Sequence, residues 1–256
     1  VMWSFATDFG RETGTPPVAG GGAVEKLRRT KDAEEIAALT RAAAAGDFAF
    51  SSLGSLAKRT ISEAELGWSL IDAMRSRGGE NASWEPIVAA GAGASIPHYR
   101  SGRKPVGRGL LLLDYGCVVD GYHSDMSRTV WLEGEPDEDL VRVYRAVLES
   151  QEAGIAAVAP GVACGAIDEA CREVLRGYGY EKQFLHSTGH GVGLEIHEPP
   201  WVRRGNEDLL QEGDVITVEP GVYLPGIGGV RIEDMVVVRG AGPEVLTKSH
   251  KEFLSR

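Results

Sequence analysis

Apolar residues in the first third of the chain predict two helices followed by a short strand. A stretch rich in Ala, Leu, Glu and Arg runs from Lys31 to Lys58 and is typical of a helix. Ser62 and Glu65 have the spacing of a capping box, so a second helix is expected to start there and to end near Arg77. The apolar run Ile87–Ala90 predicts a short buried strand.

A β-hairpin is predicted in the middle of the chain. The apolar run Leu110–Val119 is typical of a strand, and the pair Asp120-Gly121 is a strong signal for a two-residue turn. In that register Val119 faces Tyr122, and the return strand is expected to continue to about Trp131.

Two acids of this hairpin are predicted to lie close together. With a two-residue turn, Asp114 lies opposite Ser127 and Asp125 lies opposite Gly116. Both carboxylates then project from one face as diagonal neighbours, with backbones about 7–8 Å apart, and are placed to share an ion. A bulged turn would shift the register by one residue and separate them. A simpler alternative is that both acids lie on a solvent-exposed face of the hairpin, but the four leucines before Asp114 favour a buried position.

The second half of the chain repeats the order of the first. Two helices again precede extended segments that carry a histidine and two acids, which indicates an α+β fold of two related halves with a site between them. The predicted helices are Glu138–Ala156 and Gly165–Leu175, separated by Pro160-Gly161, and the predicted strands are Asp214–Leu224 and Val230–Val238, separated by a turn at Pro225–Gly229.

Four acids and one histidine are the candidate metal ligands. A single acid in an apolar, strand-like run would be costly to bury unless something balanced its charge. A set rich in carboxylates with one imidazole suits a pair of divalent ions. Arg231 is expected to share a face with Glu233 and to anchor a ligating carboxylate, with a cross-strand ion pair as the alternative. The candidate ligands are Asp114, Asp125, His190, Glu219 and Glu233.

Four of the six histidines lie in segments with candidate chemistry. His190 and His197 are seven residues apart, but three glycines at alternate positions between Gly189 and Gly193 argue against a helix. In an extended strand this odd separation puts the two rings on opposite sides, so we expect one to ligate metal and the other to reach over the substrate. The other two are His98 and His186.

The glycine-rich run Gly91–Ser95 has a rival interpretation as a phosphate cradle. It leads into Pro97 rather than opening a helix, and neither the P-loop pattern nor the dinucleotide fingerprint occurs in the sequence. The glycines are therefore expected to allow a sharp turn or a close backbone approach.

Composition excludes several classes of partner. A net charge of -10 and a pI of about 5.2 argue against nucleic acid or an anionic membrane. No apolar stretch approaches the length of a membrane span, and the first residues lack the basic start and long apolar run of a signal peptide. Cys117, Cys164 and Cys171 form no C-x-x-C pair, so we expect reduced thiols of a cytoplasmic protein rather than zinc ligands.

The motifs around these residues resemble those of the pita-bread metallopeptidases, the family of methionine aminopeptidase, aminopeptidase P and prolidase. The resemblance runs from about Val24 to about Thr247. It implies curved antiparallel sheets in two pseudo-related halves with helices outside. The motifs are Ile96–Tyr99, Leu113–Gly116, Ser124–Thr129, His186–Glu198, Val218–Tyr223 and Arg231–Asp234.

The resemblance also implies which ion each ligand binds. Asp114 would chelate one ion, His190 and Glu219 would hold the other, and Asp125 and Glu233 would bridge the two. The nucleophile would be a hydroxide shared by the ions. The metals would be Mn²⁺ or Co²⁺, with Zn²⁺ as an alternative.

The proline-specific branch, that of prolidase and aminopeptidase P, fits best. His186 and Arg231 look like that branch, while His98 and His197 are implied to steady the substrate and the tetrahedral intermediate. Glu219 is implied to carry a proton from the attacking water to the leaving imino nitrogen. The implied reaction removes an N-terminal residue from a dipeptide or longer peptide with proline at position 2.

Proline-specific members typically carry a further domain before the catalytic one. We expect residues 1–22 to be a linker or the remnant of such a region and residues 23–256 to form the catalytic domain, with a homodimer as a possible assembly. One alternative function is a non-catalytic peptide- or partner-binding module on the same fold. Another is a metal-free C–N hydrolase of the creatinase type, but the chain has acids at all four carboxylate positions.

Overall fold

The computed structural model describes residues 3–18 and 20–253, so parts of the predicted linker and of the predicted catalytic domain lie outside the described residues. None of the described helices is long and apolar enough to cross a membrane. The α-helices are α1 Trp3–Thr13, α2 Ala23–Arg29, α3 Ala33–Ser51, α4 Leu53–Leu56, α5 Glu63–Arg75, α6 Glu138–Ala156 and α7 Cys164–Tyr178, with short 3₁₀ helices at Gly91–Ser95 and Glu181–Gln183.

The strands form a five-stranded sheet, two three-stranded sheets and a two-stranded ribbon. Their orders are β13-β12-β9-β7-β8, β2-β3-β6, β1-β4-β5 and β10-β11, and every pairing is antiparallel. The strands are β1 Asn81–Ala82, β2 Ile87–Ala90, β3 Gly109–Tyr115, β4 Cys117–Val119, β5 Tyr122–His123, β6 Met126–Leu132, β7 Gly189–Gly191, β8 Glu198–Val202, β9 Val215–Val218, β10 Gly221–Leu224, β11 Gly228–Arg231, β12 Asp234–Val237 and β13 Glu244–Val245.

The helix bounds differ from the sequence-based prediction mainly near the N-terminus. The single helix predicted over 31–58 is wrong, because α3 ends at Ser51 and α4 follows. Asp32 starts α3 with its own capping box, and the hydroxyls of Ser51 and Ser52 both donate to the carbonyl of Phe48 where it ends. Sequence reasoning also missed α1 and α2, whereas the capping box at Ser62 and the bounds of α6 are confirmed.

The predicted hairpin register is confirmed. Val119 pairs with Tyr122 across the turn, and Asp114 pairs with Ser127 farther along. Asp120 and Gly121 both have positive φ, as a two-residue turn of this kind requires. Each strand is nevertheless interrupted once, at Gly116 and between β5 and β6.

The two predicted halves are confirmed by the order of their elements. In the first half, α3 and α5 precede the antiparallel strands β2-β3-β6; in the second, α6 and α7 precede β7-β9-β12 in the same order. Each helix pair packs on its own core. Strand β3 is buried on both faces, since Leu111 and Leu113 pack in one core while Leu110 and Leu112 pack in another.

The run Gly91–Ser95 is a 3₁₀ helix that lies against β11. A Cβ atom at Gly229 would lie 2.2 Å from the carbonyl oxygen of Ala94. The glycine that permits this close approach is therefore Gly229 of the neighbouring strand, which ends at Arg231, whereas Gly91 has a φ of 57° and supplies the turn expected of the run.

Candidate metal centre

All nine residues predicted to form the site line one cavity of about 400 Å³. The cavity lies where the two halves of the chain meet, and its walls also include the apolar side chains of Trp84, Ile87, Ile196 and Trp201. The individual roles of the nine residues stay predictions. They are His98, Asp114, Asp125, His186, His190, His197, Glu219, Arg231 and Glu233.

The four candidate carboxylates lie at or next to strand ends. Asp114 is the penultimate residue of β3, and Asp125 immediately precedes β6. Glu219 immediately follows β9, and Glu233 immediately precedes β12. Neither of the predicted strands, 214–224 and 230–238, is a single strand in the structure. Each strand breaks beside its acid, at Pro220 and within 232–233, which turns the chain at the cavity.

His190 directs one ring nitrogen at two of the acids. Its Nδ1 lies 3.0 Å from the carbonyl oxygen of Gly191, which only accepts hydrogen bonds, so Nδ1 carries the proton. Its Nε2 is then a free acceptor, 3.4 Å from Oδ2 of Asp125 and 3.5 Å from Oε1 of Glu219. Ligand atoms of Asp125, His190 and Glu233 all lie within 4.8 Å of one another. This spacing suits coordination of a common cation.

His197 does not lie where an uninterrupted strand would put it. The rings of His190 and His197 contact each other edge to face, with centroids 4.3 Å apart, so the expectation that they point to opposite sides is wrong. Strand β7 ends at Gly191 and β8 starts at Glu198, and the turn between them folds the second ring back onto the first.

Arg231 connects the two halves of the site. Its guanidinium is buried and donates to Oδ2 of Asp114 at 2.5 Å, to the hydroxyl of Tyr223 at 2.7 Å and to the hydroxyl of Ser127 at 2.8 Å. The hydroxyl of Ser127 in turn donates to Oε2 of Glu233 at 2.7 Å. The carboxylate that Arg231 contacts directly is therefore Asp114, and Glu233 is reached through Ser127.

Sequence reasoning missed two hydroxyls of this network, those of Ser127 and Tyr223. Ser127 had a usable signal, since the hairpin register places it opposite Asp114. No comparable signal in the sequence points to Tyr223. Its hydroxyl lies 2.8 Å from Nε2 of His186, whose Nδ1 donates to the carbonyl of Ser187.

The electrostatics of the metal-free site favour protonated acids. Burial raises the pKa of Glu219 to about 8, and the charge of Glu233 adds to the effect. Burial and the charges of Asp114 and Glu219 hold the pKa of Asp125 well above its usual range, and burial and Asp125 do the same for Glu233. Burial lowers the pKa of His186 to about 3, so its ring is neutral near pH 7.

These pKa shifts predict how the stability of the metal-free protein depends on pH. Between pH 7 and 8 the buried carboxylates of the folded protein retain protons that the same groups have lost in the unfolded chain. The free energy of unfolding in EDTA should therefore fall as pH rises, by about 1.4 kcal/mol per pH unit for each retained proton. Urea denaturation at the two pH values measures this change. Saturating Mn²⁺ should abolish the fall, because metal binding displaces the protons, and a stability that rises with pH in EDTA would contradict the prediction.

The cavity has the features of a site for two divalent cations. Its donor set is four carboxylates and one imidazole, and Oδ1 of Asp114 is buried without a hydrogen-bond partner among the described residues. Burying a carboxylate oxygen without a hydrogen-bond partner is costly unless that oxygen binds an ion or a ligand that is not part of the chain. The residues therefore fit a metal pair.

Known proteins of similar sequence include named peptidases. Uncharacterized peptidase YqhT of Bacillus subtilis is 40% identical over 232 residues, which cover 90% of this chain and 65% of that protein. The Xaa-Pro dipeptidase of Pyrococcus furiosus is 38% identical over 232 residues, covering 90% of this chain and 66% of that protein. The chain thus spans just under two thirds of the length of these curated relatives.

Solved structures of similar fold carry the same kinds of name. A structure of an Xaa-Pro dipeptidase from Bacillus anthracis superposes with a TM-score of 0.96 at 38% identity, covering 99% of this chain and 72% of that one. An X-Pro aminopeptidase from Thermotoga maritima superposes with a TM-score of 0.93 at 34% identity, covering 100% of this chain and 73% of that one. These likenesses confirm the predicted pita-bread fold.

The sequence model of one family matches most of the chain. It is described as metallopeptidase family M24, and it aligns with residues 37–240, which include all nine of the site residues. The resemblance drawn from the motifs is thereby confirmed, and the chain belongs to metallopeptidase family M24.

Proposed function

We propose that this protein hydrolyses the peptide bond between an N-terminal residue and proline, with two divalent metal ions as cofactors. The observation that carries the proposal is the convergence of four buried or half-buried carboxylates and the free Nε2 of His190 on one cavity. Relatives and structural neighbours named Xaa-Pro dipeptidase or X-Pro aminopeptidase support the substrate class.

The ligand assignment follows the arrangement of the acids. Asp114 would chelate one ion, His190 and Glu219 would hold the other, and Asp125 and Glu233 would bind both. Asp125 and Glu233 suit the shared position because both lie in the cluster with His190 and because the charge of Asp114 adds to burial in raising the pKa of each. Arg231 would fix Asp114 in place through its 2.5 Å contact.

The protein's own side chains would then carry out the proton transfer and hold the substrate. Bound cations would supply positive charge that lowers the pKa of a water molecule and polarises the scissile carbonyl. Glu219 would accept the proton of the attacking water and deliver it to the imino nitrogen of proline as the C–N bond breaks. His98 and His197, which both line the cavity, would hold the peptide and the negative charge that develops on its carbonyl oxygen.

The remaining wall of the cavity suits an apolar substrate side chain. Trp84, Ile87, Ile196 and Trp201 line it beside the acids, and an aliphatic proline ring would bury apolar surface against such a wall.

Mn²⁺ is our proposed metal, because the donor set is rich in carboxylates. A cytoplasmic location accords with three buried, free cysteines, and a homodimer stays a prediction.

Hydrolysis assays with and without metal test the proposed function. An Xaa-Pro dipeptide and a longer peptide with proline at position 2 are incubated with protein stripped by EDTA and then reloaded with Mn²⁺. We expect cleavage after the first residue, with activity at least about 100-fold lower in the stripped protein. A chain that holds two ions and cleaves neither peptide would contradict the proposal. Peptide binding without bound metal would favour the binding module instead.

A further inference from the structure

Helix α7 carries a buried ion pair whose two residues are not among the described residues that line the cavity. Asp168 is 0% exposed and Arg172 is 8% exposed, and Nε of Arg172 lies 2.6 Å from Oδ2 of Asp168. The two residues are one helical turn apart, so their pairing needs no other part of the chain. Buried ion pairs often add little net stability, because taking two charges out of water is costly. The remaining contacts of the pair therefore indicate its role.

Both members of the pair hold the backbone of the segment that leads into β7. Nη2 of Arg172 donates to the carbonyl of His186 at 2.8 Å, and Nη1 donates to the carbonyl of Phe184 at 3.4 Å. Oδ1 of Asp168 accepts from the hydroxyl of Thr188 at 2.9 Å and from its backbone N–H at 3.3 Å. The tripeptide 186–188 is thus tied to α7 at its first and last residues.

This tripeptide forms part of the cavity wall and supports a candidate ligand. His186 and Ser187 line the cavity, and the carbonyl of Thr188 accepts from the backbone N–H of Glu219 at 2.8 Å. His190 follows two residues later. A displacement of the tripeptide would therefore move a cavity-lining ring and the backbone of Glu219 together.

We propose that Asp168 and Arg172 are positioning residues for the active site, which fix the 186–188 segment in the cavity wall; this inference rests on the proposed peptidase function. The forked guanidinium is essential to the arrangement. Its Nε bonds Asp168 while Nη2 bonds the carbonyl of His186. The single ammonium of a lysine has no such fork and cannot reproduce both contacts in one geometry.

The test compares this pair with a buried ion pair elsewhere in the chain. Arg29 and Asp214 are also largely buried, with Nη2 2.7 Å from Oδ2, and neither lines the cavity. The variants are Arg172→Lys, Asp168→Asn and, as the matched control, Asp214→Asn. Each is measured for kcat and KM on an Xaa-Pro peptide with Mn²⁺, for thermal unfolding, and for amide hydrogen exchange of residues 184–190.

We expect Arg172→Lys and Asp168→Asn to lower kcat about tenfold or more with little change in KM. The amides of the 184–190 region should exchange at least about tenfold faster in both variants. Asp214→Asn should lower the unfolding temperature but leave kcat, KM and exchange of this region unchanged. Exchange needs no substrate, so it decides the inference even if the wild-type protein proves inactive and the proposed function fails.

Three results would overturn the inference. One is unchanged exchange in the 184–190 region of Arg172→Lys. Another is an equal fall of kcat in the control variant, which would make the effect one of general stability. The third is loss of the fold in Arg172→Lys. Because this variant retains the positive charge, such a loss would show that the pair is needed for folding rather than for positioning the 186–188 segment.

Discussion

Replacing Asp125 by asparagine is expected to lower kcat/KM on an Xaa-Pro peptide by about 10³-fold or more while leaving the fold intact. Asp125 is 4% exposed, and its Oδ2 lies 3.4 Å from Nε2 of His190. Asparagine keeps the shape of the side chain but removes the charge, and its amide NH₂ cannot ligate a cation. The metal content should fall below two ions per chain.

The stability of the same variant provides a second readout. In the metal-free protein Asp125 faces the like charges of Asp114 and Glu219, and burial disfavours its ionised form. Replacing it with a neutral amide should therefore not lower the free energy of unfolding in EDTA. This result would separate loss of metal binding from loss of folding.

A control for Asp125→Asn exists in the same hairpin. Asp120→Asn changes an exposed acid at the turn, whose side chain pairs with Arg41, and asparagine tolerates the positive φ of that position. This variant should keep full activity and two ions per chain. Turnover is measured by peptide hydrolysis, metal content by elemental analysis and folding by circular dichroism. Retained activity in Asp125→Asn would contradict a shared-ligand role for this acid.

Much of this architecture could be predicted because it depends on local sequence. The turn residues Asp120 and Gly121 fix the register that pairs Asp114 with Ser127, and no tertiary contact was needed to derive it. The bounds of α6 follow from Asp137, which caps its first turn, and from an uninterrupted apolar period. The order of helices and strands also sufficed to indicate two related halves.

The features that could not be predicted depend on contacts between distant segments. The turn that folds His197 onto His190 lies in a run of glycines whose conformation is set by tertiary packing. At Gly193 an added Cβ would lie 2.5 Å from Oε1 of Glu198 and 3.0 Å from Cε of Lys31. The spacing of Asp168 and Arg172 is visible in the sequence, but their bonds to 184–188 join the helix to a loop that no local pattern identifies.

Replacing Arg231 by methionine is expected to destabilise the metal-free protein by about 3–5 kcal/mol at pH 7. The guanidinium is 3% exposed and bonds Asp114, Ser127 and Tyr223. Methionine fills similar space but leaves the carboxylate of Asp114 without its cation and two hydroxyls without a donor. Arg231 also lowers the pKa of Asp125, Glu219 and Glu233, so these acids should hold protons more strongly in the variant.

Urea denaturation in EDTA measures this effect, with Arg204→Met as its control. Arg204 pairs with Glu181 on the surface, at 62% side-chain exposure, and losing such a pair changes stability by less than about 1 kcal/mol. The difference between the two variants should grow as pH rises from 7 to 9, because Glu219, whose pKa burial raises to about 8, then loses its proton and adds negative charge that Arg231 balances. Equal stability of Arg231→Met and Arg204→Met at pH 7 would contradict this prediction. It would mean that the charge of the acid cluster is balanced without Arg231.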